Sequence, residues 1–462
     1  MAMRKIRGVR AQRSVDDPSA QKRAHRSVMR LFGSCGLFVA TLAGVMAGGS
    51  LAASAVAPAG ASPALITVHC PTDNLQEAIN AATPGSTLLV DGTCTGNFSI
   101  DNDLTLSGPA ILDGGGVQTT YGATLNVIAG TVVLNNLVIQ HGVGIDGLGG
   151  GLWNGGQLTL NHSTVTHNSA FGVGGVFNMG QLTLNGSTVS NNTATNGEGG
   201  IENCGASLHA YGLCTGAPGS LTLNYSVVSN NVGGSGDGGG IWNDAQAVMT
   251  LNGSNVSGNT TGGNGGGIEN NGTATITLST VSGNTGGSNG GGIENQGTAT
   301  LNLSNVSGNT ASNGGGIMNN GTATLNVSAI TNNSSTGGPQ FFGGGGGLSN
   351  GLANTGSTTL NYSLVRANSA AYVGGGIFAG GGPMNINHSI VTGNSALAAG
   401  GGMIVWDGPT TVANSVFSNN SDQAVAQGFA PDNPAGVWVA PADYLGFFTN
   451  HPTFTTTHST YS

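Results

Sequence analysis

Apolar and polar positions alternate along this chain in short bursts that restart every few dozen residues. Within Gly291 to Thr310, Ala299, Leu301 and Leu303 alternate with Thr300 and Asn302, the period of a half-buried strand. Val306 breaks that phase, which predicts a bend between Leu303 and Val306. The i, i+3, i+4 spacing of a helix is missing, and Gly, Asn and Ser at each break are turn residues. A Gly-Gly-apolar element recurs at Leu152, Val176, Ile201, Ile241, Ile268, Ile293, Ile317, Leu348, Ile377 and Met403, in steps of 24, 25, 40, 27, 25, 24, 31, 29 and 26 residues. An apolar-x-x-Asn element follows each one, from Val165 with Asn168 to Phe417 with Asn420. No such unit buries its apolar side alone, whereas stacked units build a continuous interior.

The predicted fold class is all-β: a single-stranded right-handed parallel β-helix (β-solenoid) of roughly 13 coils with an N-terminal capping helix, the hand following from the crossover rule. The chain divides into a basic leader with a secretory signal segment (1–61), an N-terminal cap with the first coils (62–147), ten repeats of about 25 residues (148–420) and a C-terminal cap or tail (421–462). In the cap, Leu75, Ala78, Ile79 and Ala82 keep helical spacing, with Asp73 as cap and Pro84-Gly85 as stop. The Ser two residues before each second anchor, Ser163 through Ser415, and the anchor Asn itself fall in columns. Such columns are expected to satisfy buried turn backbone, not to carry chemistry.

Composition sharpens the picture. Gly makes up 85 of 462 residues, in clusters and not at every third position, and Pro is only 14, which excludes collagen. Nine of the ten Lys and Arg lie in the first thirty residues; beyond them Arg366 stands alone against 17 Asp and Glu, a net charge near −16. A surface so short of cations excludes nucleic-acid binding. The basic start, the uncharged run from Leu31 to Ala57 and Ala59-Gly60-Ala61 read as a secretory signal, with Met29 as an alternative start to Met1. The competing reading is an uncleaved anchor; either places the remainder extracellular or at the cell surface. Cys70 with Cys94 and Cys204 with Cys214 form two local pairs, read as disulfides of an exported protein, with a metal site as the weaker alternative.

At these residues a resemblance emerges. GGIEN followed by VSGN resembles the GG[AI] and FxxN repeat of chlamydial polymorphic outer membrane proteins, and FSNN at Phe417–Asn420 matches it in full. LQEAI at 75–79 and LDGGG at 112–116 are similar to the wider pectate-lyase-like superfamily of right-handed parallel β-helices. The resemblance implies the fold, not an activity. The lyases of that superfamily use calcium-binding carboxylates with an Arg or Lys base, and its polygalacturonases use an Asp-Asp pair, Gly-His-Gly and Arg-x-Lys. Beyond the leader this chain has one Arg and none of those motifs.

One column suggests chemistry. The residue after the first anchor is expected to point outward, and reads Trp153, Phe177, Glu202, Trp242, Glu269, Glu294, Met318, Ser349, Phe378, Ile404. Aromatics beside carboxylates suit stacking on sugar rings, so Trp153, Phe177, Glu202, Trp242, Glu269 and Glu294 are candidate glycan-binding residues. Glu269 and Glu294 on adjacent coils, with Glu202, are the candidate catalytic set of a polysaccharide hydrolase or lyase. A repeated Thr-x-Asn, as in Thr159 with Asn161, resembles an ice-binding array, although Thr is also simply a good strand residue. Asp237 and Asp244 near Gly238–Gly240 are a Ca²⁺ candidate without the repeated Asp of calcium-binding solenoid turns; no other cofactor is expected. His162 and His388 share a column with Gly, Tyr, Leu and Val, which reads as a bend position. The leading expectation is a non-catalytic, adhesin-like surface for a glycan or cell envelope; the alternative is the polysaccharide-acting enzyme.

Overall fold

The computed structural model describes residues 62–117, 122–144, 149–205, 214, 217–338, 344–351, 355–422, 436–439 and 453–462. The leader, with Cys35 and both start sites, lies outside the described residues, as do Phe447 and Phe448. The chain winds into an all-β parallel solenoid of about 13 turns. Each regular coil carries a five-residue strand, a bend, a three-residue strand, a two-residue strand and a last three-residue strand. Thr298–Asn302, Asn305–Ser307, Thr310–Ala311 and Ile317–Asn319 are one such set. Every strand pairs in parallel with its equivalent one coil away, as Thr298–Asn302 does with Thr322–Asn326.

The expected bend is present. Leu303 sits between the first two strands at φ 52°, and the interior column continues through Leu301 and Val306, both buried. Leu303 itself departs from the alternation read in the sequence. It is 55% exposed, because the bend turns its side chain out of the coil. The interior is a stack mostly of Leu, Ile and Val, with Ala, Met and Phe in some coils, contiguous from Val68 to Val437.

Three buried polar ladders hold the coils in register. The Ser column works as expected: the Ser279 N–H donates to Ser304 Oγ at 3.2 Å, and the Ser304 N–H to Ser328 Oγ at 3.1 Å. In the anchor column Asn309 Oδ1 accepts from the Asn284 N–H and from Asn284 Nδ2, each at 2.9 Å. The third ladder, the Asn two residues after the first anchor, was not singled out in the sequence. Asn270 Nδ2 donates to Asn295 Oδ1, and Asn295 Nδ2 to Asn319 Oδ1, both at 2.7 Å.

Helix α1 spans Leu75–Ala81 and buries Leu75 and Ile79 over the first coil. Its cap is Asn74, whose side chain accepts from the Glu77 N–H, and not Asp73, which accepts from the His69 N–H. Cys70–Cys94 and Cys204–Cys214 are both closed. The tail does more than cover the stack. Val437–Val439 and Thr453–Thr457 pair with Met403–Val405 and Pro409–Ala413, adding a coil. Phe454 and Tyr461 pack on the core, with Tyr461 stacked on Phe417.

Candidate functional site

The column expected to face solvent is sealed. Glu202, Glu269 and Glu294 are 1%, 1% and 2% exposed, Phe177 and Trp242 are buried, and only Trp153 is half-buried. The residue does point away from the coil interior, but a glycine arch folds back over it. A Cβ placed on Gly265 would lie 2.7 Å from the Glu269 backbone nitrogen, and one on Gly290 2.5 Å from that of Glu294. Both glycines have φ 59°, so the arch needs glycine for conformation as well as for space. Trp153 borders a shallow groove of about 620 Å³ with Met179 and Pro218, and is the one candidate aromatic open to a ligand.

Under the arches the carboxyls crowd. Glu269 and Glu294 are direct strand partners. Gln296 Nε2 donates to Glu269 Oε1 at 3.2 Å and reaches Glu294 Oε1 at 3.5 Å, while Oε2 of each Glu has no hydrogen-bond partner. Burial pushes Glu294 up to about 8, and nearby Asp237 adds to it. Burial, then the charges of Glu294 and Asp237, hold Glu269 well above the usual carboxyl range. Glu202 is raised to about 8 by burial and by Asp244, and exchanges a hydrogen bond with Glu198, itself raised by burial and by Glu202. Glu198, 1% exposed, escaped the sequence reading, although it stands four residues before Glu202 across the arch.

These raised values set a pH dependence. The folded chain holds protons that the unfolded chain releases from about pH 4.5. Their contribution is complete in acid and is lost as pH rises towards and through about 8. The midpoint of thermal unfolding should therefore fall by several degrees between pH 5 and pH 9, and the Glu269→Gln/Glu294→Gln variant should flatten that fall. An equally steep profile in the variant would show the pair to be ionised throughout.

The calcium candidates are engaged elsewhere. Asp237 Oδ1 accepts from the Asn264 N–H at 2.6 Å, and Asp244 accepts from the N–H groups of Ala245 and Gly205. The Asn residues of the Thr-x-Asn array bond along the stack, Asn185 Nδ2 donating to Asn161 Oδ1 at 2.8 Å and Asn224 Nδ2 to Asn185 Oδ1 at 2.9 Å. Those amides are therefore partly withdrawn from any outside ligand.

What the surface does offer is the corner. The bend position is left-handed at His162, Gly186, Tyr225, Gly253, Leu278, Leu303, Val327, Tyr362, His388 and Asn414. Tyr225, Leu278, Leu303, Val327 and Tyr362 are 79%, 64%, 55%, 55% and 62% exposed. The Tyr362 ring stacks on His388 with centroids 4.7 Å apart. Left-handed backbone costs a non-glycine residue roughly 1–2 kcal/mol, and a branched residue such as Val is an outlier there. Glycine or asparagine would serve the bend better, as Gly186, Gly253 and Asn414 do in other coils. Comparison with family models, with curated proteins and with solved structures finds no match.

Proposed function

We propose that the chain is an exported, non-catalytic solenoid that binds a neutral glycan or a cell-envelope polymer along its exposed corner. The observation that carries this is the ridge from Tyr225 to Tyr362. Large apolar side chains stand mostly in solvent, on strained backbone, where folding gains little from them. Tyr rings and branched aliphatic groups suit the apolar faces of sugar rings, and flanking Thr hydroxyls supply hydrogen bonds. With Arg366 the lone Lys or Arg beyond the leader, an anionic polymer would find almost no counter-charge, so a neutral one is favoured. The likeness of the repeats to those of polymorphic outer membrane proteins, and of LQEAI and LDGGG to pectate-lyase-like β-helices, supports the right-handed coil that presents this corner, and says nothing of the ligand. Catalysis by Glu202, Glu269 and Glu294 would require the arches to open first.

The test is retention on insoluble cellulose, chitin and peptidoglycan. The Tyr225→Ser/Leu303→Asn/Tyr362→Ser variant should be retained at least tenfold less than the unaltered protein. The single changes Leu303→Asn and Val327→Asn should each raise stability, by up to about 1 kcal/mol, as left-handed strain is relieved. Retention unchanged in the triple variant would refute the ridge as the binding surface, and turnover of the polymer would favour the enzyme reading.

A further inference from the structure

Beside the ridge and independent of it, the Cys204–Cys214 disulfide abuts the buried acid column. Glu202 Oε1 lies 3.7 Å from Cys214 Sγ, a contact and not a hydrogen bond, since a disulfide sulfur carries no proton. One ligand atom from each of Glu202, Cys204 and Cys214 falls within 4.8 Å of the others, and all three residues are buried. Val173 and Phe177 pack against the two cysteines, with Trp153 and Met179 beside them, so the pocket is walled by apolar groups. The second oxygens of Glu202 and of Glu198 are buried there without a hydrogen-bond partner, although each side chain is 1% exposed. A buried carboxyl oxygen left without a partner is costly unless a cation or a hydrogen-bonding group meets it.

We propose that reduction of Cys204–Cys214 converts this pocket into a site for one soft divalent metal ion, Zn²⁺ or Cd²⁺, held by the two thiolates and the Glu202 carboxylate. The donor set is right for such ions: two sulfurs and an oxygen within one coordination sphere, with a fourth position left for water. Glu198, hydrogen-bonded to Glu202, orients the carboxylate from behind. The chemistry balances with a dithiol or phosphine as reductant. It gives two electrons and the S–S bond breaks; the two protons that make two thiols come from the dithiol, which becomes its own disulfide, or from the water whose oxygen the phosphine takes to become its oxide. When the metal enters, both thiol protons leave to solvent, with the carboxyl proton where Glu202 carries one. The disulfide then acts as the closed state of the site, and the redox poise of the surroundings decides whether metal can bind.

The experiment titrates Cd²⁺ alone into the full-length chain carrying Cys35→Ser, Cys70→Ser and Cys94→Ser, so that Cys204 and Cys214 are its only thiols, reduced by a phosphine without oxygen, and reads thiolate-to-cadmium absorbance in the ultraviolet. One equivalent should bind the reduced protein and none the oxidised one, with the β-sheet circular dichroism unchanged by reduction. Cys204→Ala/Cys214→Ala in the same background should lose the signal. Glu202→Gln should keep both thiols but bind at least tenfold more weakly. Absence of a one-equivalent step, a step that survives in the double alanine variant, or unfolding on reduction would overturn the site; equal affinity in Glu202→Gln would overturn its carboxylate ligand.

Discussion

Asn309→Ala is expected to destabilise the protein by about 3–5 kcal/mol, far more than its single lost side chain suggests. Asn309 is wholly buried and serves three coils. Its Oδ1 accepts from the Asn284 N–H and Asn284 Nδ2, and its Nδ2 donates to the Val281 carbonyl at 3.0 Å and to Asn333 Oδ1 at 2.9 Å. Alanine leaves these groups unsatisfied in a place water does not reach, at about 1–3 kcal/mol each before relaxation. Asn305→Ala, in the same coil but half-exposed, should change stability by less than about 1 kcal/mol. Denaturant unfolding of both variants decides the matter: similar small losses would mean that the ladder is incidental to the fold.

The second large effect is expected from Gly292→Val. The Gly292 amide sits between coils, donating to the Gly316 carbonyl at 3.0 Å. A Cβ there would come within 2.6 Å of that oxygen, 2.8 Å of Asn309 Nδ2 and 2.9 Å of Val306 Cγ1. Two of these neighbours are fixed by the stack itself, so the strand cannot give without parting the coils. Overpacking of this kind costs about 1–3 kcal/mol, and here the disturbed Asn309 ladder adds to it. Gly283→Ala is the contrast: its Cβ meets nothing within 4 Å, and the cost is the left-handed backbone alone, at φ 64°. Thermal unfolding should drop by many degrees for Gly292→Val and by a few for Gly283→Ala.

Much of this architecture was legible in the residues. The restart of the apolar pattern set the coil length, the phase break at Val306 placed the bend, and the recurring Ser and Asn positions marked two of the three buried ladders. The cysteine pairs followed from their short separations. The third ladder had the same signal, at Asn270, Asn295 and Asn319, hidden beside the more conspicuous first anchor. The site was read less well, and for one physical reason. Alternation says which side of a strand faces the coil interior, but not whether a later segment folds over the other side. Runs such as Gly238–Gly240 and Gly290–Gly292 were the available sign that backbone lies against the Trp242 and Glu294 strands. Conversely, Leu303 was assigned inward by simple alternation, although a residue at a left-handed bend must leave that alternation. The apolar surface therefore lies at the corner, and the acids lie beneath the arches.

The most direct measurement of the stacked register is a distance between nitroxide labels at Tyr225→Cys and Tyr362→Cys, in a Cys35→Ser background with both disulfides closed. The two positions follow Asn224 and Asn361, whose strands are linked by five successive in-register pairings. At about 4.8 Å for each coil step, the corners should lie about 24 Å apart with a narrow distribution, although 137 residues of chain separate them. A broad distribution, or a mean beyond about 40 Å, would contradict the stacked coil and with it every column described above.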